Sequence, residues 1–267
     1  MVMRSFVLCL VISMDVLGAA AAGVLQPPPM YVFGDSSLDV GNNNYLPGAS
    51  VPRANMSYYG IDFPGVPTGR FSNGDNIADF VGRLLVSTAL EIGVSYASGG
   101  SGILDCTNAG NNIPLSKQVQ YFNATRAKMV AAAGDAAVAA LLARRTKTAA
   151  VFNAALNNLL AKKQKKLPGL VYSLADSFSL TKDIFADPHA SEFTDITGAC
   201  CGTGLSLCLP TFEVVCSTRS QRDHHVFWDP YHFSQRACFL TAQAFYNGPA
   251  KYTTPINFMR LVQSKEI

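Results

Sequence analysis

The chain is poor in charge. Of its 267 residues only 15% are Asp, Glu, Lys or Arg, and 21 basic against 18 acidic side chains leave a formal net charge of +3. A surplus that small provides no electrostatic footprint for a nucleic-acid backbone. The one dense basic run, Lys162 to Lys166, has no interleaved aromatics and reads as a solvated helix end. Long apolar runs are missing beyond the amino-terminal leader region, so no later stretch is suited to span a bilayer. The glycine-rich stretches lack both the full dinucleotide spacing and a following Lys-Ser/Thr, which argues against a phosphate loop. Apolar residues, by contrast, make up 49% of the chain, enough for a substantial core in a single domain.

The amino end carries Arg4, an apolar run from Phe6 to Leu17 with one charge at Asp15, and small residues from Ala19 to Gly23. That is the pattern of a secretory signal peptide over residues 1–23, leaving 24–267 as the mature domain in the secretory pathway or outside the cell. Two sequons, Asn55-Met56-Ser57 and Asn123-Ala124-Thr125, offer glycosylation acceptors in that compartment. Cys9 leaves with the leader, and Cys106, Cys200, Cys201, Cys208, Cys216 and Cys238 remain. An oxidising compartment favours disulfides within the cluster from Cys200 to Cys216, with the connectivity open at this level. Zinc is the rival use, but the cluster's spacings match no common finger and no well-spaced histidine stands beside it.

The run PPPMYVFGDSSLDVGNNNY, residues 27–45, sends a short apolar strand into Gly34-Asp35-Ser36 and then into turn formers. A serine on a tight strand-to-helix turn has an exposed oxygen near a helix N-terminus, which suits a nucleophile. Gly-Asp-Ser alone is also ordinary turn chemistry, so a base has to be found elsewhere. Trp228-Asp229-Pro230-Tyr231-His232 provides one, with a carboxylate three residues before an imidazole. Ser36 as nucleophile, His232 as general base and acid, and Asp229 as the group that orients the ring form a consistent set. His189, His224 and His225 read as exposed, and Asp35 and Asp39 as local capping groups.

Between these ends, residues 45–69 read as a long loop whose Tyr58, Tyr59 and Phe63 either line a pocket or pack the loop down. A helix follows with Ile77, Phe80, Val81, Leu84 and Leu85 on one face and Asn73 or Asp75 as its cap. Val94 to Ala97 is a strand, residues 115–145 and 149–165 are helices, and 170–174 is a buried strand ending at Asp176. Further helices are expected over 178–185 and 234–246. Strand and helix alternate, which argues for an α/β fold with a parallel sheet covered on both faces.

FGDSSLDVGNNN, VSYASGGSGILD and FWDPYHFSQRA, in that order, resemble three conserved blocks of the plant GDSL esterase/lipase family, a branch of the SGNH hydrolases. The likeness runs from about Met30 to about Leu261. It implies a three-layer α/β/α fold of SGNH or flavodoxin-like type and a secreted carboxylic ester hydrolase working through an acyl-enzyme. It also implies oxyanion donors at the Ser36 and Gly99 N–H groups, a small or polymeric ester as substrate, and no metal or organic cofactor.

The chain departs from that pattern in its middle. The family's strand ending in Gly-x-Asn-Asp, and a later strand with a Gly-Pro turn, have no counterpart, as though about two core strands were deleted near residues 145–150. The absent asparagine is the family's third oxyanion donor, and losing one such donor typically costs about 10²–10³ in turnover. Asn108, Asn111, Asn112 and Asn153 stand near enough in sequence to be considered as substitutes, but no spacing recommends any of them. The alternative reading is therefore a truncated, catalytically impaired homologue or a non-catalytic binder of cell-wall carbohydrate.

Overall fold

The computed structural model describes residues 30–85, 93–137, 147–150, 171–203, 206–209, 211 and 214–263. The expected signal peptide, most of the helix expected over 149–165, the basic run and Asn153 lie outside the described residues.

The chain is mixed α/β, with parallel strand pairs. Strand β1 (Met30–Val32) pairs in parallel with β2 (Gly93–Ser95), with Tyr31 opposite Val94. Strand β3 (Lys147–Ala150) pairs in parallel with β4 (Tyr172–Ala175), which also takes β7 (Thr253–Thr254) antiparallel on its other side. Strands β5 (Asp195–Ala199) and β6 (His225–Phe227) form a third parallel pair. Among the described residues the strands thus lie in three short sheets. The resemblance implies an uninterrupted one.

Helices α1 (Ile77–Leu85), α2 (Leu115–Ala133), α3 (Ser177–Ala186), α4 (Arg219–Asp223), α5 (Gln235–Asn247) and α6 (Phe258–Gln263) complete the order. The cap of α1 is Asn76, not Asn73 or Asp75. Asn76 Oδ1 accepts the Asp79 N–H at 3.1 Å while Asp79 Oδ2 accepts the Asn76 N–H at 2.8 Å, so two orphan donors of the first turn are satisfied reciprocally. Asp176 caps α3 through Ser179 N–H, and Ser234 caps α5 through Ala237 N–H.

Two sequence expectations change here. The alanine-rich helix stops at Ala133 because Gly134 takes φ +82° and turns its N–H back to the Val130 carbonyl, a helix-ending conformation that glycine adopts without strain. Residues 147–150, expected to pass between two helices, are extended instead, because each lies in parallel register with a residue of β4. Pairing with a buried strand outweighs the helix preference of Ala149 and Ala150, and Thr148 is itself a weak helix former.

The core is divided. One cluster packs Val81 of α1, Leu180 of α3, and Ala242 and Phe245 of α5 against Ala175, Tyr252 and Phe258. Another gathers Ala54, Tyr59, Phe71 and Trp228 around Cys200, Cys201, Cys208 and Cys216. Cys200 is bonded to Cys216 and Cys201 to Cys208, which resolves the connectivity and removes the thiolates a zinc ion would need from this cluster. Fully burying each large aromatic contributes about 1.5–3 kcal/mol, so this stapled cluster is a rigid floor for what stands on it.

Candidate active site

Strand β1 ends at Val32, and the chain turns through Gly34 so that Ser36 sits on a tight turn closed by Leu38 N–H donating to the Asp35 carbonyl at 3.2 Å. Gly34 has φ +156°, and a Cβ there would come within 3.0 Å of Leu38 Cδ1. The expected helix after Ser36 is absent. Between Ser36 and α1 the chain forms a single 3-10 turn, Asn42–Tyr45, so the segment that follows the serine brings no α-helix N-terminus to its oxygen. The polar side chains of the turn explain this, since Asp35 Oδ1 takes the Ser37 N–H and Asp39 Oδ1 takes the Gly41 and Asn42 N–H groups, the local bonding that competes with helix.

His232 arrives from the loop between β6 and α5. Its Nε2 lies 2.8 Å from Ser36 Oγ, across 196 residues of sequence, and its Nδ1 lies 2.8 Å from both Asp229 oxygens. Asp229 is fully buried and His232 nearly so. Every recorded partner of Asp229 is a donor: Oδ1 also accepts the Tyr231 and His232 N–H groups at 2.9 Å, and Oδ2 accepts the Tyr59 hydroxyl at 2.7 Å. A carboxylate so surrounded accepts from Nδ1 and leaves the Nε2 lone pair facing the Ser36 O–H. The Phe71 ring stands 4.8 Å from the imidazole, which holds the ring's plane.

Tyr59 was legible only as a loop aromatic, lining a pocket or packing the loop. It is buried at 1% exposure, and its hydroxyl both donates to Asp229 and accepts the Cys208 N–H at 3.3 Å. Burial, together with the adjacent Asp229 charge, pushes its ionisation far above the ordinary phenol range, so it stays a neutral donor. Tyr59→Phe removes a hydrogen bond to a charged group, and we expect a loss of about 1.5–3 kcal/mol in a urea titration. A change below measurement error would show that the bond contributes nothing. Phe63 is exposed and stacks near the Arg83 guanidinium, and Tyr58 packs on the stapled cluster.

The glycine-rich loop after β2 comes to the same place. Gly99 is pressed between Phe71 and Asn43, where a Cβ would lie 2.8 Å from the phenyl carbons. Its N–H is directed to Asp39 Oδ2 at 2.9 Å, while the N–H groups of Ser36 and Gly100 have no acceptor among the described residues. Asp39, read from sequence as a local cap, thus ties the Ser36 loop to the Gly99 loop. Burial raises its carboxyl above the usual range even though the Gly99, Gly41, Asn42 and Asn43 amides work the other way.

The remaining candidates are accounted for by structure. His189 is exposed, as expected, but His224 and His225 are half-buried, their Nδ1 atoms on the Ser220 and Gln221 carbonyls at 2.6 and 2.8 Å. Of the substitute asparagines, Asn112 spends its amide on the Gly100, Thr107 and Asn108 carbonyls, and Asn111 on Asn108 Oδ1. Asn55 and Asn123 are both solvent-exposed. No described helix is long and apolar enough to cross a membrane.

No protein-family model matches the chain. Curated relatives do. GDSL esterase/lipase At2g23540 of Arabidopsis thaliana is 28% identical over 341 aligned positions, covering 86% of this chain and 87% of the relative. GDSL esterase/lipase At5g55050 of the same plant is 27% identical over 354 positions, covering 93% of each. GDSL esterase/lipase At3g50400, also from Arabidopsis thaliana, is 29% identical over 342, covering 86% and 90%. Each alignment is longer than the 267 residues of this chain, so the relatives carry intervening residues that have no counterpart here. Along most of its own length and most of theirs, the chain is similar to these plant GDSL esterase/lipases.

Proposed function

We propose that the protein is a secreted carboxylic ester hydrolase with Ser36 as nucleophile, His232 as general base and acid, and Asp229 as the orienting carboxylate. The observation that carries this is the 2.8 Å approach of His232 Nε2 to Ser36 Oγ, with Asp229 on the far side of the ring. As Ser36 Oγ bonds to the acyl carbon, its proton passes to Nε2. The alcohol then leaves with that proton as its bond to the acyl carbon breaks. Water gives a proton to Nε2 and attacks the acyl-enzyme, and the Ser36 oxygen recovers the proton as the acid departs. The negative oxygen of each intermediate is received by the Ser36 N–H and by the glycine loop. There Gly99 is the position the family resemblance points to and Gly100 carries the unengaged amide. The chemistry needs no cofactor.

The exposed sequons and the two disulfides support an exported protein, with Asn55 and Asn123 as glycan acceptors. The alternative, an impaired homologue or a non-catalytic binder of cell-wall carbohydrate, is favoured by the residues its relatives have and it lacks, among which the resemblance places the family's third oxyanion donor. A serine-directed fluorophosphonate separates the two. Labelling of the wild type but not of Ser36→Ala supports an assembled nucleophile, and labelling of neither overturns the hydrolase reading.

A further inference from the structure

We propose that Gln118 of α2 is a positioning residue for the Ser36 turn, acting through the Gly34 peptide. The assignment rests on the reading of Ser36 as nucleophile.

Helix α2 is largely solvent-facing, and Gln118 is its one buried side chain, at 0% exposure. Burying an amide costs free energy unless its donors and acceptor are all engaged. Here they are. Gln118 Oε1 accepts the Gly34 N–H at 3.0 Å, and Nε2 donates to the Gly34 carbonyl at 2.9 Å and the Ile113 carbonyl at 2.9 Å. Nε2 also lies 3.2 Å from Ser101 Oγ, whose own hydroxyl donates to the same Gly34 oxygen at 3.0 Å. The amide cannot be turned over, because that would set its oxygen against two carbonyl oxygens. Ser98 N–H adds a further donor to Gly34 O at 3.0 Å.

One side chain therefore holds both backbone polar groups of Gly34, the residue two positions before the nucleophile. This is the pattern of a neighbouring strand, which takes an N–H and offers a donor to a C=O. The comparison matters because β1 ends at Val32, two residues before Gly34. Past that end the Gln118 amide joins the Ser98 N–H, from the chain that follows β2, in holding the Gly34 backbone. Gly34 is free to rotate by its nature, and rotation there swings Ser36 Oγ away from His232 Nε2. A displacement of about 1 Å at a reacting atom costs on the order of 10² in rate.

The test is Gln118→Met, which keeps the length and removes every hydrogen bond. Active sites are counted by fluorophosphonate titration, and hydrolysis of a short-chain p-nitrophenyl ester is expressed per titrated site. The expected result is kcat per site lower by about 10², with KM within twofold of wild type. A wild-type kcat per site, with only the titratable fraction reduced, means that Gln118 merely holds the fold, and overturns the proposal. Ser101→Ala is the milder variant in case Gln118→Met does not fold. Losing one donor on Gly34 O lowers kcat per site about fivefold, and no change overturns the proposal. Wild-type protein that neither labels nor turns over refutes the nucleophile reading, and this assignment with it. That failure is distinguishable because it occurs with Gln118 in place.

Discussion

His232→Ala lowers kcat for a short-chain aryl ester by about 10⁶, and adding Ser36→Ala to it lowers the rate hardly further. The non-additivity carries the information. If Ser36 Oγ acts only after Nε2 takes its proton, removing either partner removes the same step, and the second substitution finds nothing left to lose. The 2.8 Å separation and the burial of Asp229 behind the ring make that coupling the expected one. Two independent losses that multiply would mean the hydroxyl and the imidazole work separately, and the acyl-enzyme route would be wrong. The absolute wild-type rate is a distinct matter. With only backbone amides to receive the oxyanion, it is expected to fall about 10²–10³ below that of an enzyme with a third donor. The comparison among variants is unaffected, because all of them share that deficit.

Much of this was legible from local pattern. The apolar run into Gly34, the amphipathic face of α1 and the helix that follows His232 are written in residues a few positions apart, and they appear where the pattern puts them. What was not legible depends on partners far along the chain. Lys147–Ala150 becomes a strand because β4 lies beside it, and nothing within those four residues says so. Tyr59 looked like any loop aromatic, and its place is decided by Asp229, 170 residues away. Gln118 sits in a run of helix formers and carries no motif. Only the Gly34 peptide, 84 residues earlier, gives it a role. Asp39 was read as a cap because its near contacts are local, and the bond that reaches the Gly99 loop spans 60 residues. The helix expected after Ser36 failed for a local reason that was visible, since Asp35 and Asp39 are residues that bind nearby backbone in preference to continuing a helix.

Arg222→Ala removes about 3–5 kcal/mol of stability at neutral pH. Arg222 and Asp62 are 7% and 5% exposed, and they meet with Nε 2.7 Å from Oδ2 and Nη2 2.5 Å from Oδ1. Nη1 also donates to the Cys216 and Ser217 carbonyls at 3.0 Å, and Asn73 Nδ2 donates to Asp62 Oδ2 at 2.6 Å. Asn73 in turn accepts the Gln235 N–H at the start of α5. One guanidinium thus joins the long loop after the Ser36 turn to the disulfide-stapled segment, and through Asn73 to the helix that follows His232. Truncating it leaves two carbonyls unpaired and a buried carboxylate with one neutral donor. Burial by itself raises the Asp62 carboxyl, but the Arg222 and Asn73 hydrogen bonds outweigh that and hold it below the usual range. The pair's stabilisation is therefore complete above the unfolded carboxyl's value of about 4 and is lost as pH falls through the lower folded value. In the variant the balance reverses. Burial is no longer opposed by the guanidinium, the carboxyl is raised, and protonating it relieves the penalty. Urea titrations at pH 7 and near pH 4 are expected to show the gap between wild type and Arg222→Ala narrowing on acidification. A gap under about 1 kcal/mol at pH 7, or one that widens toward acid, would mean the pair behaves as an exposed ion pair does and that the loop is held by other contacts.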